Sequence, residues 1–289
     1  MAEEYRIAAL WIGGDLSFLE QLCLKSFVDA GHHVTLYRYE PVGHVPEGVE
    51  MRDAAEILPM GNPLLHERTG SPAVHADLFR YHLMAKCDRT IWADTDAYCV
   101  KPFRSNNGHF HGIENPKHRR INNGVLALPQ DSATLAALLD FTSDIHSIPP
   151  WLPQEERARL EALREAGTPL HAGQMQWGTW GPRALTHFLH ATGEARFSFP
   201  QEVLYPVPFK ERVLMLRPGC DLSGFITDNT VSIHFYGRRM RARLLEKHGG
   251  IPKPRSLIGK LLRQHGIEPT LAPIPARHSI APEAEAEDA

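Results

Sequence analysis

In the first 40 residues, continuous apolar runs alternate with apolar residues at the spacing of a helix. Apolar runs over residues 6–12 and 33–39 predict two buried strands. Between them, apolar residues at helical spacing predict a helix with Asp15 as its N-cap and Gly31 at its end. A strand, a helix and a strand within about 35 residues form a βαβ unit, which implies a parallel sheet with a right-handed crossover. The glycines that follow the first strand lie where open α/β sheets bind ligands.

The rest of the chain continues this alternation of strands and helices. Residues 41–70 are rich in proline and glycine and predict an excursion over the surface. Ser71 and Pro72 predict the start of a helix that runs to about Lys86. The remaining predicted strands span residues 90–100, 110–114, 121–128 and 231–236, and the remaining helices span 131–141, 154–166 and 183–189. The charged helix lies within residues 143–175, a predicted insertion or flap.

The strand predicted at residues 90–100 carries two carboxylates, Asp94 and Asp96. Because side chains alternate faces along a strand, both carboxylates are expected to point the same way. Their repulsion is relieved when a divalent cation lies between them. The late strand adds His234, and two carboxylates with one imidazole fit Mn²⁺ well and Mg²⁺ acceptably. The sequence therefore predicts a metal site, although a lone strand histidine is also common in a protein core.

Other polar residues leave two interpretations open. Asp77 and Arg80 lie three residues apart on a predicted helix, either as a surface ion pair or at the border of the metal cleft. Asn122 and Asn123 interrupt an apolar strand, either as turn formers or as ligand contacts. The two tryptophans of residues 174–182 either stack on a base or sugar, or pin their loop to the core.

Composition narrows the class of protein. The chain has 289 residues, with 43% hydrophobic and 22% charged residues, which is ordinary for one large globular domain or two modest ones. A net charge of −3 gives no support to a nucleic-acid partner. The four cysteines lack CxxC spacing, which favours reduced thiols over zinc ligands or disulfides. The N-terminus does not resemble a signal peptide, and no apolar run approaches the roughly 20 residues that span a bilayer. A cytoplasmic location is expected.

The C-terminal part differs in charge from the rest. Residues 238–265 carry nine lysines and arginines against one acidic residue, with leucines interleaved. This pattern predicts either a peripheral contact with anionic lipid at the inner face of the cell membrane or a solvated helix packed on the domain. Residues 268–289 are rich in proline, alanine and glutamate and predict disorder. The predicted division is a domain over 1–237, a basic extension over 238–267 and a tail over 268–289.

Several of these motifs together resemble the DXD sugar-binding region of GT-A-fold glycosyltransferases. The resemblance extends over residues 5–236. The sequence is similar to bacterial capsule and polysaccharide transferases, to initiating mannosyltransferases and, distantly, to the glucosylating clostridial toxins. The resemblance is carried by residues 76–81 (ADLFRY), 92–96 (WADTD), 101–103 (KPF), 122–126 (NNGVL) and 177–182 (WGTWGP). One departure is that relatives usually carry two glycines before the DXD strand, where this chain has Cys87, Asp88 and Arg89. This difference predicts a remodelled turn.

The resemblance implies a GT-A fold, which is an α/β, Rossmann-like mixed sheet flanked by helices. It implies metal ligands at Asp94, Asp96 and His234, and catalytic roles for Asp94, Asp96, Arg80 and Asn123. It further implies that the nucleotide-diphosphate sugar donor is contacted by Trp11, Ile12, Asp77, Arg80, Trp92, Asp94, Thr95, Asn122, Asn123 and Trp177.

The function expected from these features is metal-dependent hexose transfer from a nucleotide-diphosphate sugar to a hydroxyl acceptor such as a glycan or polysaccharide. The resemblance favours UDP as the nucleotide and retention of anomeric configuration. One alternative is a non-catalytic protein that binds sugar nucleotides or carbohydrate. Another is an Asp-x-Asp phosphatase of the haloacid-dehalogenase type, although that motif normally follows the first strand.

Overall fold

The computed structural model describes residues 5–61 and 63–275. Its strands are β1 (Arg6–Trp11), β2 (Val34–Arg38), β3 (Val49–Asp53), β4 (Thr90–Ala93), β5 (Ala97–Cys99), β6 (Phe110–Asn115), β7 (Arg120–Ala127) and β8 (Ser232–His234). Its helices are α1 (Phe18–Asp29), α2 (Ala73–Lys86), α3 (Ala133–Thr142), α4 (Gln154–Glu165), α5 (Ala184–Thr192), α6 (Gln201–Leu204), α7 (Gly237–His248) and α8 (Leu257–Gln264).

Six strands form one mixed sheet in the order β3-β2-β1-β4-β7-β6. The first four of these strands are mutually parallel, whereas β7 runs antiparallel to both β4 and β6. From β1 the chain first adds β2 and β3 on one side, and then adds β4 on the other side. The strand order therefore reverses between β1 and β4, which is the place where open α/β sheets bind ligands. The predicted α/β class, with a mixed sheet flanked by helices, is confirmed.

The strand predicted over residues 90–100 is in fact two strands in different sheets. The first, β4, lies in the six-stranded sheet, whereas β5 pairs with β8 in a separate two-stranded sheet. The chain changes sheets in the turn formed by Asp94, Thr95 and Asp96. The prediction of one continuous strand is wrong because β4 pairs with β1 and β7, whereas β5 pairs with β8.

Two other local predictions need correction, and the turn predicted to be remodelled before β4 can be described. The N-cap of α1 is Ser17, which forms a capping box with Glu20, whereas Asp15 accepts a hydrogen bond from the Gly43 amide at 2.7 Å. The predicted surface excursion at 41–70 contains β3, an edge strand whose mostly exposed positions show no apolar alternation. The turn before β4 forms without glycine, because Arg89 adopts the left-handed conformation with φ of 46°.

Helices cover the sheet on both faces. On one face, α2, α3 and α5 pack around a core that includes Phe79, Trp92, Leu126, Leu138 and Leu185. On the other face, α1 and α6 enclose a core that includes Ile7, Phe27, Leu36, Val125 and Leu204.

The C-terminal helices belong to the core and do not form a separate appendage. Their apolar residues pack with Phe18 and Leu19 of α1 and include Met240, Leu244, Ile258 and Leu262, each at most 2% exposed. The structure therefore agrees with the packed-helix interpretation, because the leucines that would contact lipid are turned inward. None of the helices within the described ranges is long and apolar enough to cross a membrane.

The predicted tail begins later than residue 268. The Phe18 amide donates a hydrogen bond to the Ala272 carbonyl at 2.8 Å, and Ala272 and Ile274 are both buried. The chain is therefore held against α1 at Ala272 and packed into the core at Ile274, contrary to the disorder predicted there. Residues 276–289 of the predicted tail lie outside the described residues.

Packing of α7 into the core predicts a cost for truncating Leu244, which is fully buried. We expect Leu244→Ala to lower the free energy of unfolding by about 2–4 kcal/mol, because it removes buried methyl groups and leaves a cavity. The matched control is Leu271→Ala, at a side chain that is 76% exposed, with an expected change within about 0.5 kcal/mol. Urea titration followed by circular dichroism measures both, and equal stability of the two variants would contradict the packing of α7.

Candidate metal centre

The turn between β4 and β5 is held from two directions. The Asp94 amide donates to the Gly124 carbonyl of β7 at 2.7 Å, and the Phe235 amide donates to the Asp96 carbonyl at 2.9 Å. The turn closes on itself through the Ala97 amide and the Asp94 carbonyl, 2.9 Å apart. The two carboxylates are therefore brought together by a turn between two sheets. The prediction that the two carboxylates are neighbours is correct, but the predicted cause, a shared face of one strand, is wrong.

Asp94, Asp96 and His234 form a cluster with the geometry of a metal site. Each contributes one potential ligand atom, and these atoms lie within 4.8 Å of one another. His234 Nε2 is 3.2 Å from Asp96 Oδ1. The side chains of Asp94, Asp96 and His234 are 31%, 19% and 12% exposed, so the cluster can be reached from solvent.

Gly124 leaves the space beside this cluster. A β-carbon at Gly124 would lie 3.3 Å from Asp94 Oδ2 and 3.5 Å from His234 Nε2, so a larger residue would crowd the centre. Among the described residues, His234 Nδ1 is buried without a hydrogen-bond partner, whereas Asp96 Oδ1 is paired with His234 Nε2. Buried polar atoms without partners are uncommon and are often found at functional sites. The donor set suits Mn²⁺ or Mg²⁺, which prefer oxygen ligands and tolerate one imidazole.

The charges of the cluster are strongly coupled. Burial opposes the ionisation of Asp96, but His234 and the Gly237 amide hold the pKa of this carboxyl well below its usual range. Burial alone would lower the pKa of His234, but Asp96 and other nearby carboxylates raise it to about 9. Burial and Asp96 raise the pKa of Asp94 despite the opposing effect of Arg80. Without a metal, His234 is therefore an imidazolium at neutral pH.

Arg80 reaches the cluster from α2. Its guanidinium lies 3.2 Å from Asp77 Oδ1 and 3.2 Å from Asp94 Oδ1, and it stacks 4.6 Å from the centre of the Trp92 ring. Trp92 Nε1 donates to the same Asp94 oxygen at 2.8 Å. The side chains of Arg80 and Asp77 are only 4% and 9% exposed, so the interpretation as a surface ion pair is wrong. Arg80 and Trp92 together fix the orientation of Asp94.

The asparagines of β7 complete this network. Asn123 Nδ2 donates to Asp77 Oδ1 at 2.8 Å, and the Asn123 carbonyl accepts a hydrogen bond from Arg80. Asn122 Oδ1 accepts from the Gly124 amide at 2.6 Å. Both residues lie within a strand, so neither is a turn former. Burial raises the pKa of Asp77 to about 6, although Arg80 and Asn123 oppose this shift.

The remaining predicted residues lie around the same edge of the sheet. Trp11 ends β1 with Ile12 next in the chain, and Trp11 Nε1 donates to the Gly14 carbonyl at 2.6 Å, which closes the turn. Thr95 is partly exposed at the centre of the turn between the carboxylates. Because β1 and β4 are adjacent and parallel, their carboxyl ends open on the same crevice.

The two tryptophans of the glycine-flanked loop differ. Trp180 is 2% exposed, and its carbonyl accepts a hydrogen bond from the Tyr81 hydroxyl at 2.6 Å, so it pins the loop to the core. Trp177 is partly exposed, with its ring 5.2 Å from that of His66 and the Arg238 guanidinium 4.9 Å from its centre. The predicted contact of Trp177 with a donor stays a prediction.

Sequence reasoning missed Gly237, the first residue of α7. Its amide donates to Asp96 Oδ2 at 2.6 Å. The preceding Tyr236 has φ of 53°, a rare conformation for a bulky residue that turns the chain into the helix. A glycine just after a strand histidine and before a helical pattern was the available signal, because helix N-termini bind anions. The predicted division at residue 237 separated α7 from the domain, so no contact between this helix and Asp96 was expected.

The sequence matches no protein-family model and no curated protein at a significant level. In structure, the chain is similar to PaToxG glycosyltransferase, with a TM-score of 0.43 and 14% identity over 65% of this chain and 69% of the other. It is similar to mouse xyloside xylosyltransferase 1, with a TM-score of 0.41 and 11% identity over 80% and 97% of the two chains. For the bifunctional glycosyltransferase WbbM the values are 0.31, 10%, 65% and 49%. These TM-scores are low, so the assignment of a function depends on the site itself.

The raised pKa of His234, about 9, predicts that metal binding displaces a proton. We expect the affinity for Mn²⁺ to rise by about tenfold per pH unit between roughly pH 6 and 8, because the imidazole must be neutral to bind a metal. Titration of Mn²⁺ followed by electron paramagnetic resonance gives the dissociation constant at each pH. The control variant His234→Gln should bind more weakly and with a flatter pH dependence. An affinity that is independent of pH in the unaltered protein would contradict a ligand role for His234.

Proposed function

We propose that this protein is a metal-dependent glycosyltransferase that uses a nucleotide-diphosphate sugar. The observation that carries the proposal is the position of the Asp94, Asp96 and His234 cluster at the switch point between β1 and β4. A crevice at this place suits a nucleotide, and a divalent ion beside it suits a diphosphate.

In this proposal the donor lies across the ends of β1 and β4. Its nucleoside lies along the end of β1 beside Trp11 and Ile12, and its diphosphate lies over the turn that contains Thr95. A divalent ion held by Asp94, Asp96 and His234 would neutralise the negative charge that develops on the departing nucleotide. Trp177 covers the diphosphate in this arrangement.

The transferring sugar lies towards the buried network beside the metal centre. Asp77 and Asn123 offer a carboxylate and an amide to sugar hydroxyls, and Asn122 lies next to them in β7. Arg80 acts as a positioning residue, because its guanidinium is buried against Asp77, Asp94 and Trp92. A site built to hydrogen-bond specific hydroxyls discriminates strongly against sugars that lack them.

The identity of the substrates follows the sequence resemblance. It favours UDP as the nucleotide, a hexose as the sugar, retention of configuration, and a hydroxyl of a glycan or polysaccharide as the acceptor. Mn²⁺ is the preferred ion and Mg²⁺ the alternative. The non-catalytic binding protein differs from this proposal in its lack of turnover. The phosphatase alternative normally has its Asp-x-Asp motif after the first strand, whereas Asp94 and Asp96 follow β4.

Metal-dependent nucleotide binding is the first test. By isothermal titration calorimetry, UDP should bind the protein in the presence of Mn²⁺, and Asp96→Asn should weaken this binding by roughly 100-fold, because it removes a charged metal ligand. The matched control is Asp88→Asn, at a side chain that is 72% exposed, which should leave the affinity unchanged. Failure of the unaltered protein to bind any of UDP, GDP or their sugars with Mn²⁺ would rule out the proposal.

Turnover separates a transferase from a binding protein. We expect the purified protein with Mn²⁺ to release UDP slowly from its donor when no acceptor is added, because water can substitute for the acceptor hydroxyl. Asn123→Ala should lower this rate by about tenfold or more, since it removes an amide hydrogen-bonded to Asp77. Chromatography of the released nucleotide measures the rate across a panel of nucleotide sugars. Tight donor binding without nucleotide release for any donor would favour the binding protein.

A further inference from the structure

A buried ion pair lies directly behind the metal centre. It joins Glu20 in the first turn of α1 to Arg241 in α7. The Glu20 side chain is 1% exposed and that of Arg241 is 16% exposed. A buried ion pair gives little net stability compared with apolar packing of the same volume, so stability alone does not explain this pair.

Glu20 is held in place independently of Arg241. Its Oε2 accepts hydrogen bonds from the Ser17 amide at 2.9 Å and from the Ser17 hydroxyl, as part of the capping box of α1. Its Oε1 accepts from Arg241. Glu20 therefore presents one fixed oxygen to the guanidinium, and the helix N-terminus determines where that oxygen lies.

Arg241 lies close to Asp96 but does not bind it. It follows Gly237 by four residues, so its side chain extends back over the first turn of α7. A β-carbon at Gly237 would lie 3.2 Å from Arg241 Nη1 and 3.0 Å from Asp96 Oδ2, so both groups border the space beside this glycine. Arg241 Nε is buried without a hydrogen-bond partner in the described ranges, whereas Asp96 Oδ1 is paired with His234 Nε2 at 3.2 Å. The guanidinium thus has an unused donor, and a carboxylate oxygen, which carries more than one lone pair, can accept it beside the imidazole.

We propose that Glu20 is a positioning residue that holds the Arg241 guanidinium away from Asp96, so that this carboxylate stays available to a divalent cation. A guanidinium binds a carboxylate through two parallel hydrogen bonds, and an Arg241–Asp96 pair would occupy the oxygens that a metal needs. Its positive charge would also repel a dication. The inference rests on the metal site of the proposed function. It concerns Glu20 and Arg241, which lie outside the motifs that carry the sequence resemblance.

The test measures Mn²⁺ affinity of the full chain by electron paramagnetic resonance, without substrate. Glu20→Gln should weaken Mn²⁺ binding by about tenfold, as is typical when a group that orients a ligand is removed. Glutamine is tolerated at this position of a capping box, so the helix cap is preserved. Arg241→Met should bind Mn²⁺ at least as well as the unaltered protein. The double variant Glu20→Gln/Arg241→Met should recover the unaltered affinity, because the competing guanidinium is absent.

A purely structural role gives a different pattern. It predicts that Glu20→Gln lowers the melting temperature while leaving the Mn²⁺ dissociation constant unchanged, and this result would overturn the inference. Weak binding that persists in the double variant would overturn it as well, because the effect would not act through Arg241. If Glu20→Gln does not fold, Glu20→Asp keeps the charge but shortens its reach, and an affinity equal to that of the unaltered protein would overturn the inference.

The two proposals fail in distinguishable ways. Absence of Mn²⁺ binding in the unaltered protein counts against the metal site itself. Normal Mn²⁺ binding in both the unaltered protein and Glu20→Gln counts only against the role of Glu20.

Discussion

The charge balance around the turn between β4 and β5 is the constraint on which the site depends. Three carboxylates, Asp77, Asp94 and Asp96, converge there, and the cations that contact them are Arg80 and the protonated His234. One negative charge is then left over, and burial, together with the neighbouring carboxylates, raises the pKa of both Asp77 and Asp94. A dication that displaces the His234 proton would bring the group to neutrality. The cluster is therefore better balanced with a metal than without one.

This balance requires elements that are distant in sequence to meet at one turn. Asp94 follows β4 of the large sheet, whereas Asp96 precedes β5, which pairs with β8 and so with His234. The α7 amide at Gly237 adds a fourth group from the C-terminal region, and the core behind α7 is shared with α1. Helix α7 therefore supports the candidate metal ligands directly. Loss of its packing would disturb the site as well as the stability of the fold.

The sequence predicts most local elements, because apolar spacing and glycine signals act over short distances. It predicts β1, α1, β2 and α2 to within a few residues, and it predicts the residue types of the metal cluster. It does not predict the break at Ala93, because strand pairing partners are set by the tertiary fold. It leaves the packing of α7 open between two alternatives, since half of that helix is charged and only Gly237, Met240 and Leu244 are buried. The basic composition of this segment is also why the sequence predicts it as a separate extension.

The loop of residues 174–182, which carries Trp177 and Trp180, contacts the site through its backbone as well as its side chains. A β-carbon at Gly181 would lie 2.7 Å from Asp77 Oδ2, so the loop can approach the buried carboxylate only with glycine at this position. On the other side of the loop, Trp177 contacts Arg238 at the start of α7. The loop thus bridges the Asp77 network and the helix that binds Asp96. Trp180 anchors the centre of the loop in the core, whereas Trp177 is partly exposed and contacts the His66 ring. The Trp177 end can therefore adjust to a ligand at a lower cost in free energy than the Trp180 end.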